Sequence, residues 1–296
     1  MAIVTPRSQR WRLLATHAAL IGFITLTMLP LLMIVSISLR PGNFAGGSLI
    51  PTALTLDHWK LALGIAVMGP DGQWQQPAFP VLQWIANSMK VALVSAAVAL
   101  LLSVTAAYAF ARMRFRGRGL TLDALLLLQM FPSVLALVAI YALFDRIGEW
   151  VPWLGLNSHW SLVLAYSGGI AQHIWLIKGY FESLPVELEE AAAVDGATPL
   201  QAFTHVLLPL AGPILAVVFV LAFLGAMIEY PVASVLLHDE AQLTLAVGSR
   251  LFLFNQRYLW GDFAATAILA GLPLTLLFMV TQRWLVSGLS AGAVKG

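Results

Sequence analysis

Long apolar runs alternate along this chain with short polar stretches, and most of the runs exceed what a buried strand or one face of a surface helix requires. A bilayer core of about 30 Å takes roughly 20 apolar residues as a helix, and only helices and closed barrels satisfy every backbone group there. About six runs fit that length. They are Leu13 to Leu39, Ile85 to Ala111, Leu122 to Phe144, Leu162 to Ile177, Val206 to Ile228 and Phe263 to Val286, the fourth being the shortest. The pattern predicts an all-α polytopic membrane protein with a single transmembrane domain over 1–296.

The polar stretches differ in character. Segment 40–84 is rich in Gly and Pro and reads as mostly irregular. Within it Asp57 is expected to cap a short helix to about Leu63, with Trp59, Ala62 and Leu63 on a face lying on the membrane. Gly69-Pro70-Asp71-Gly72 reads as a turn. The stretch from Asp145 to Ser161 is short and aromatic, whereas 231–262 is longer and polar, with His238, Asp239, Glu240, Arg250, Asn255, Gln256, Arg257 and Tyr258.

Segment 178–213 spells two short helices. Pro185 suits a first helical turn, and Glu187, Glu189 and Glu190 favour the positive end of the helix dipole, so a helix is expected to about Val194. Asp195-Gly196 supplies the stop, because Gly accepts the left-handed conformation after a helix. Thr198, Pro199 and Gln201 then make a capping-box start, and Pro209 and Pro213 force a bend before the fifth run. Alanines at 191, 192 and 193 let another backbone approach closely. This chemistry alone fits a groove-seated helix or a solvated helical hairpin equally well.

Composition agrees with lipid. Of 296 residues 60% are hydrophobic and 10% charged, with mean hydropathy +0.86; soluble domains carry about 25% charged residues. Arg7, Arg10 and Arg12 precede the first run and Arg40 follows it, while Arg112, Arg114, Arg116 and Arg118 crowd between the second and third. By the positive-inside rule the N-terminus is cytoplasmic, and six crossings return the C-terminus to that side. Segments 40–84 and 231–262 are then external, and 178–213 and the tail 287–296 cytoplasmic. Trp11, Trp84, Trp150, Trp153, Trp160, Trp175, Trp260 and Trp284 lie near predicted membrane boundaries, as headgroup-level rings should. The first run is too long for the h-region of a signal peptide and reads as a retained anchor.

Several chemistries are excluded. With no cysteine there is no disulfide framework, iron–sulfur cluster or Cys-ligated zinc. The histidines at 17, 58, 159, 173, 205 and 238 show no i, i+4 pairing, so no metal site is expected. The Arg clusters flank apolar runs instead of forming a basic face, which argues against nucleic acid. No P-loop occurs, so the chain does not cradle ATP by that motif, and no catalytic residue is assigned. Among ionisable groups near the runs, Lys90 is expected to snorkel to the interface, Glu229 to cap or bend the fifth run before Pro231, and His173 beside Gln172 to make a helix-to-helix hydrogen bond.

Glu190-Ala191-Ala192, with Gly196 six positions after the glutamate and Leu208-Pro209 beyond, resembles the EAA loop of bacterial ATP-binding-cassette importer permeases. Ala107 to Phe115 is similar to the end of the second helix in the carbohydrate-importing permeases, and Gly288 to Gly296 to their C-terminal tail, the likeness being closest to the maltose and maltodextrin branch. Arg116 departs from the family, which often has proline there.

The resemblance implies a multi-pass subunit of the bacterial cytoplasmic membrane that works by alternating access. Glu190, Ala191, Ala192, Asp195, Gly196 and Ala197 would contact a separate, homodimeric cytoplasmic ATPase, which would carry Mg-ATP. It also implies a second, different permease chain and an external sugar-binding protein, for which Asn255 and Gln256 are the expected contacts. Substrate-binding residues are not assigned. A secondary transporter, or a permease for another sugar, is the alternative, the former calling for midspan ion-coordinating groups that the runs lack.

Overall fold

The computed structural model describes residues 7–69, 71–254 and 257–293. In chain order the elements are α1 (Arg7–Ser38), α2 (Asp57–Ala62), β1 (Val67–Met68), β2 (Trp74–Gln75), α3 (Val81–Arg112), α4 (Arg118–Gln129) and α5 (Ser133–Trp150). After these come α6 (His159–Tyr166), α7 (Ala171–Ser183), α8 (Glu187–Val194), α9 (Pro199–Ala202), α10 (Leu208–Leu210) and α11 (Gly212–Ile228). The chain then runs through α12 (Pro231–Leu236), α13 (Leu245–Gly248), β3 (Leu253–Phe254), β4 (Arg257–Tyr258) and α14 (Trp260–Ala293). Helix dominates, and among the described residues strand is confined to two antiparallel two-residue ladders.

Among the described residues, three helices are each long and apolar enough to cross a membrane: Trp11–Ser38, Val81–Arg112 and Trp260–Gln282. Two bent pairs raise the count to five if each is one span. α4 and α5 meet at 98°, where Pro132 denies the helix a backbone donor. The segment Pro199–Leu210 meets α11 at 77°, the bend expected from the prolines at 209 and 213. The fourth apolar run is not one helix: α6 and α7 are separated by a 3-10 turn at Ser167–Gly169. There the Ser167 hydroxyl bonds back to the Val163 carbonyl at 2.7 Å, and two glycines follow with little helix propensity.

The chain forms two compact units. In the first, residues 1–80 and 251–269, the end of α1 is tied down by polar contacts. Trp59 donates to the Ser38 hydroxyl at 3.2 Å, and the Arg40 guanidinium donates to Ser36 Oγ at 3.0 Å and to the Gly46 carbonyl at 2.7 Å. Asp57 does not cap α2. It lies in the first turn after Leu56, with its carboxyl 3.7 Å from Lys60. Nor do Trp59, Ala62 and Leu63 form one apolar outer face, because Ala62 is buried and Leu63 exposed.

His58, buried beside Ala62, has Nδ1 2.6 Å from Asp262 Oδ1, and Nε2 2.9 and 3.1 Å from the carbonyls of Arg40 and Gly42. Asn43 Oδ1 accepts from the Gly261 and Asp262 amides and so caps α14. Gly261 is required there, since a Cβ would run into the His58 ring. β1 and β2 lie either side of the segment 69–72 read as a turn, of which Pro70 is outside the described residues, and Gly69 N–H donates to Gln73 O at 2.8 Å.

In the second unit, residues 81–250 and 270–296, α3 is the central rod, packed by α11, α7 and α6. It presents Ser88, Ala92, Ala96, Ala99, Ser103 and Ala107, all buried at three- or four-residue intervals. Small side chains at that spacing let helices approach closely where no hydrophobic effect drives them together. Phe223 and Met227 of α11 fill against Ala92 and Ala96, while Phe181, Leu207 and Val218 build a second cluster around Ala107. Toward its start α3 also pins the segment after α12: Trp84 donates to the Glu240 carbonyl at 2.8 Å, and Asn87 to those of Ala241 and Leu243 at 3.0 Å each.

Candidate functional site

The segment between α7 and α11 is a helical hairpin whose two sides differ in exposure. α8 begins after Pro185 with three acids in its first turn and ends in a Schellman motif. Gly196 takes φ +87°, its amide donates to Ala193 O at 3.0 Å, and the Ala197 amide donates to Ala192 O at 2.9 Å. At the next step Thr198 Oγ1 accepts from the Gln201 amide and Gln201 Oε1 accepts from the Thr198 amide, a reciprocal capping box with Pro199 in the first helical position. A short π-helical stretch, Phe203–Leu207, carries the chain toward α11.

The inner side is anchored. Phe203 packs on Tyr108 at 4.5 Å between ring centroids and meets the edge of Phe181, with Leu207 fully buried beside them. Arg112, the last residue of α3, places Nε 2.5 Å from Glu189 Oε1, and its Nη2 donates to Leu184 O at 3.1 Å. Both side chains of that pair are only 14% exposed. Around it Glu182 binds Arg118 at 3.2 Å and Lys178 at 2.8 Å.

The outer side is bare. Glu190, Ala191, Asp195 and Gly196 are exposed, and Ala192 and Ala197 half-buried at the hinge. Val194 is 88% and Leu200 69% exposed, with Leu188 and Val186 also open. Such a patch combines apolar side chains that gain by burial with carboxylates suited to a basic partner. The six residues expected for coupling all lie on this hairpin, between α8 and the start of α9.

Sequence reasoning missed the tie from Arg112 to Glu189 and the exposure of Leu188, Val194 and Leu200. Taken singly, Arg112 marks membrane sidedness and Glu189 suits the helix dipole. Their opposite charge on facing segments was the available signal. Asn255 and Gln256, the other expected contact, lie outside the described residues, between β3 and β4.

Polar groups within the second unit resolve differently from one another. Glu229 ends α11 and caps α12: its carboxyl accepts from the Val232 and Ala233 amides at 2.7 and 3.0 Å and from the Tyr166 hydroxyl at 2.8 Å. The helix-to-helix bond expected of His173 and Gln172 is not made by their side chains among the described residues: His173 Nδ1 is buried without a hydrogen-bond partner, and beside it the Gln172 backbone amide donates to Gln129 Oε1 at 3.0 Å. His173, Ser95, Tyr166 and Glu229 line a cavity of ≈ 240 Å³. Lys90 is exposed and lines a second cavity of ≈ 350 Å³. Among the described residues no group of three or more His, Asp or Glu could hold a metal ion.

Comparison with known proteins gives this geometry a context. The sequence model of the family described as binding-protein-dependent transport system inner membrane component matches residues 99–291. Proteins named maltose/maltodextrin transport system permease protein MalG are 60% identical in Photorhabdus laumondii and in Escherichia coli, with both chains covered fully in each case. The protein of that name in Vibrio vulnificus is 58% identical over the same 296 residues.

Among solved structures, a chain of a bacterial ABC transporter involved in the import of the acidic polysaccharide alginate superposes with a TM-score of 0.75 at 22% identity. The match covers 95% of this chain and 99% of that one. An inward-facing MetNI methionine ABC transporter chain matches 70% of this chain and 95% of its own, with a TM-score of 0.53 and 16% identity. With its apolar spans, its bent helix pairs and a hairpin held to α3 by Arg112 and Glu189, this chain belongs to the binding-protein-dependent transport system inner membrane components.

Proposed function

We propose that this chain is the permease subunit of an ATP-driven importer of maltose and maltodextrins, working by alternating access, and that the hairpin 187–202 is where it takes up force. The observation that carries the coupling role is the two-sidedness of that hairpin: an inner side pinned to α3 and an outer side of exposed carboxylates and apolar residues. The full-length identity to the MalG proteins supports the substrate class. In this reading the termini, the hairpin segment 178–213 and the tail 287–296 are cytoplasmic, and 40–84 and 231–262 are external.

Glu190, Ala191, Ala192, Asp195, Gly196 and Ala197 contact a homodimeric ATPase of the MalK type, which holds Mg-ATP; this chain supplies no catalytic group. Two docking clefts on an ATPase dimer call for two hairpins, and the second comes from a MalF-type permease chain. A periplasmic sugar-binding protein delivers substrate and meets the external loop around Asn255 and Gln256.

Mechanically, closure of the ATPase dimer displaces α8. The Arg112–Glu189 pair and the Phe203 packing pass that displacement to α3, around which α7 and α11 are packed. A groove-seated helix with no such tie would slide without moving the spans.

Purification of the tagged full chain after co-expression with its cognate subunits, followed by reconstitution in proteoliposomes, tests the reading. ATP-dependent uptake of maltotriose with a co-purified ATPase is expected. Uptake that continues without ATP, or failure to bring down an ATPase, would overturn it, and ATP-driven uptake of an unrelated sugar alone would overturn the substrate class.

A further inference from the structure

From the ≈ 350 Å³ cavity beside Lys90 we infer a binding site for the phosphate headgroup of a membrane phospholipid, on a face of the second unit formed by α3 and the segment leading into α6. The inference is independent of the transported substrate. Lys90 makes no ion pair or hydrogen bond among the described residues, and the residues lining the cavity include no Asp or Glu. An uncompensated ammonium is costly near lipid and draws an anion.

The depth is right for a headgroup. Lys90 lies about 14 Å along α3 from its start, and the helix, at about 48 Å, overhangs a 30 Å hydrocarbon core by roughly 9 Å at each end if centred. The Lys90 backbone is then about 5 Å inside the hydrocarbon edge, within reach of the interface for a four-carbon stem. Trp153 and Trp160, set edge to face at 6.3 Å, form the wall on that level, where indole rings favour the headgroup zone.

The rest of the lining separates polar from apolar. Val94 offers an apolar surface for glycerol and acyl carbons, backed by the buried Val91 and Val163. His159 Nε2 donates to the Gln242 carbonyl at 2.8 Å, so that nitrogen is already engaged. Burial lowers the His159 pKa, the Gln242 carbonyl opposes this, and the Lys90 charge lowers it further, which leaves the imidazole neutral and Lys90 the cation of the cavity. Basic pockets between membrane helices bind lipid headgroups by this chemistry. A sugar could stack on the indoles but would leave the charge unneutralised.

The test uses the complete complex in detergent, titrated with dioctanoyl phosphatidylglycerol and followed by native mass spectrometry. One lipid per chain is expected at this site, with affinity reduced about fivefold by Lys90→Gln and kept by Lys90→Arg. Val94→Trp, which fills the cavity while retaining the cation, should abolish the same adduct, and dioctanoylglycerol, lacking phosphate, should not bind. Equal lipid affinity in the wild type and Lys90→Gln would overturn the inference. So would displacement of the lipid by maltotriose, or by inorganic phosphate at equal concentration, since these outcomes assign the cavity to sugar or to free anion.

Discussion

Arg112 at the end of α3 and Glu189 in the first turn of α8 form an ion pair of 2.5 Å that joins a membrane helix to the exposed hairpin. Both side chains are 14% exposed, so each charge depends on the other for compensation. Arg112→Ala should lower stability by about 1–3 kcal/mol and uncouple ATP hydrolysis from uptake. The double variant with Glu189→Ala should lose less than the sum of the two, with a coupling of about 1–2 kcal/mol. Thermal unfolding and uptake per ATP across the cycle measure both; additive losses would mean the pair transmits nothing.

Gly196 permits a separation of strain from docking. Its φ of +87° disfavours any side chain, yet a Cβ there meets nothing within 4 Å. Gly196→Ala should therefore cost only about 1–2 kcal/mol of local strain. Gly196→Leu should add little more to the stability of the isolated chain while sharply reducing its co-purification with the ATPase. Equal co-purification by the Ala and Leu variants would remove Gly196 from the contact.

His58 makes the first unit sensitive to pH. Burial alone lowers its pKa, but the Asp262 hydrogen bond and charge and the Arg40 and Gly42 carbonyls outweigh it, so the value is raised above the usual 6.5. Every neighbour of the ring nitrogens is an acceptor, so the imidazolium satisfies both contacts at once. A raised folded-state value contributes stability that is complete below the unfolded value and fades as pH rises through the folded one. Melting temperature in detergent should fall as pH rises above that ordinary value in the wild type, and change less over the same range in His58→Gln.

Glu229 accepts three hydrogen bonds where α11 stops and α12 starts. Glu229→Leu strands the Tyr166 hydroxyl and two amides and should cost about 2–4 kcal/mol, whereas Glu229→Gln, which keeps an acceptor, should cost less than half of that. The two melting temperatures decide it; similar losses would show that shape, not acceptance, matters at this position.

Much of the site was legible because its determinants are local. The stop at Gly196 and the Thr198–Gln201 capping box need only residues within one turn, and both occur where the sequence puts them. Asp57 shows the limit of such reasoning: a good capping residue lies one position inside the helix, because the chain entering α2 is fixed by His58 and Trp59 binding elsewhere. The fourth apolar run shows another, since mean hydropathy is insensitive to a Ser-Gly-Gly interruption that breaks the helix.

The sequence by itself determined a membrane-spanning helical protein and the two-helix form of its exposed hairpin, since hydrophobic length and capping chemistry act over short separations. Tertiary structure decided which charges meet. His58 finds Asp262 across 204 positions and Arg112 finds Glu189 across 77, pairings that follow from where helices pack. Packing also chose the face on which Val194 and Leu200 stay bare, because a side chain's exposure depends on what the rest of the chain covers.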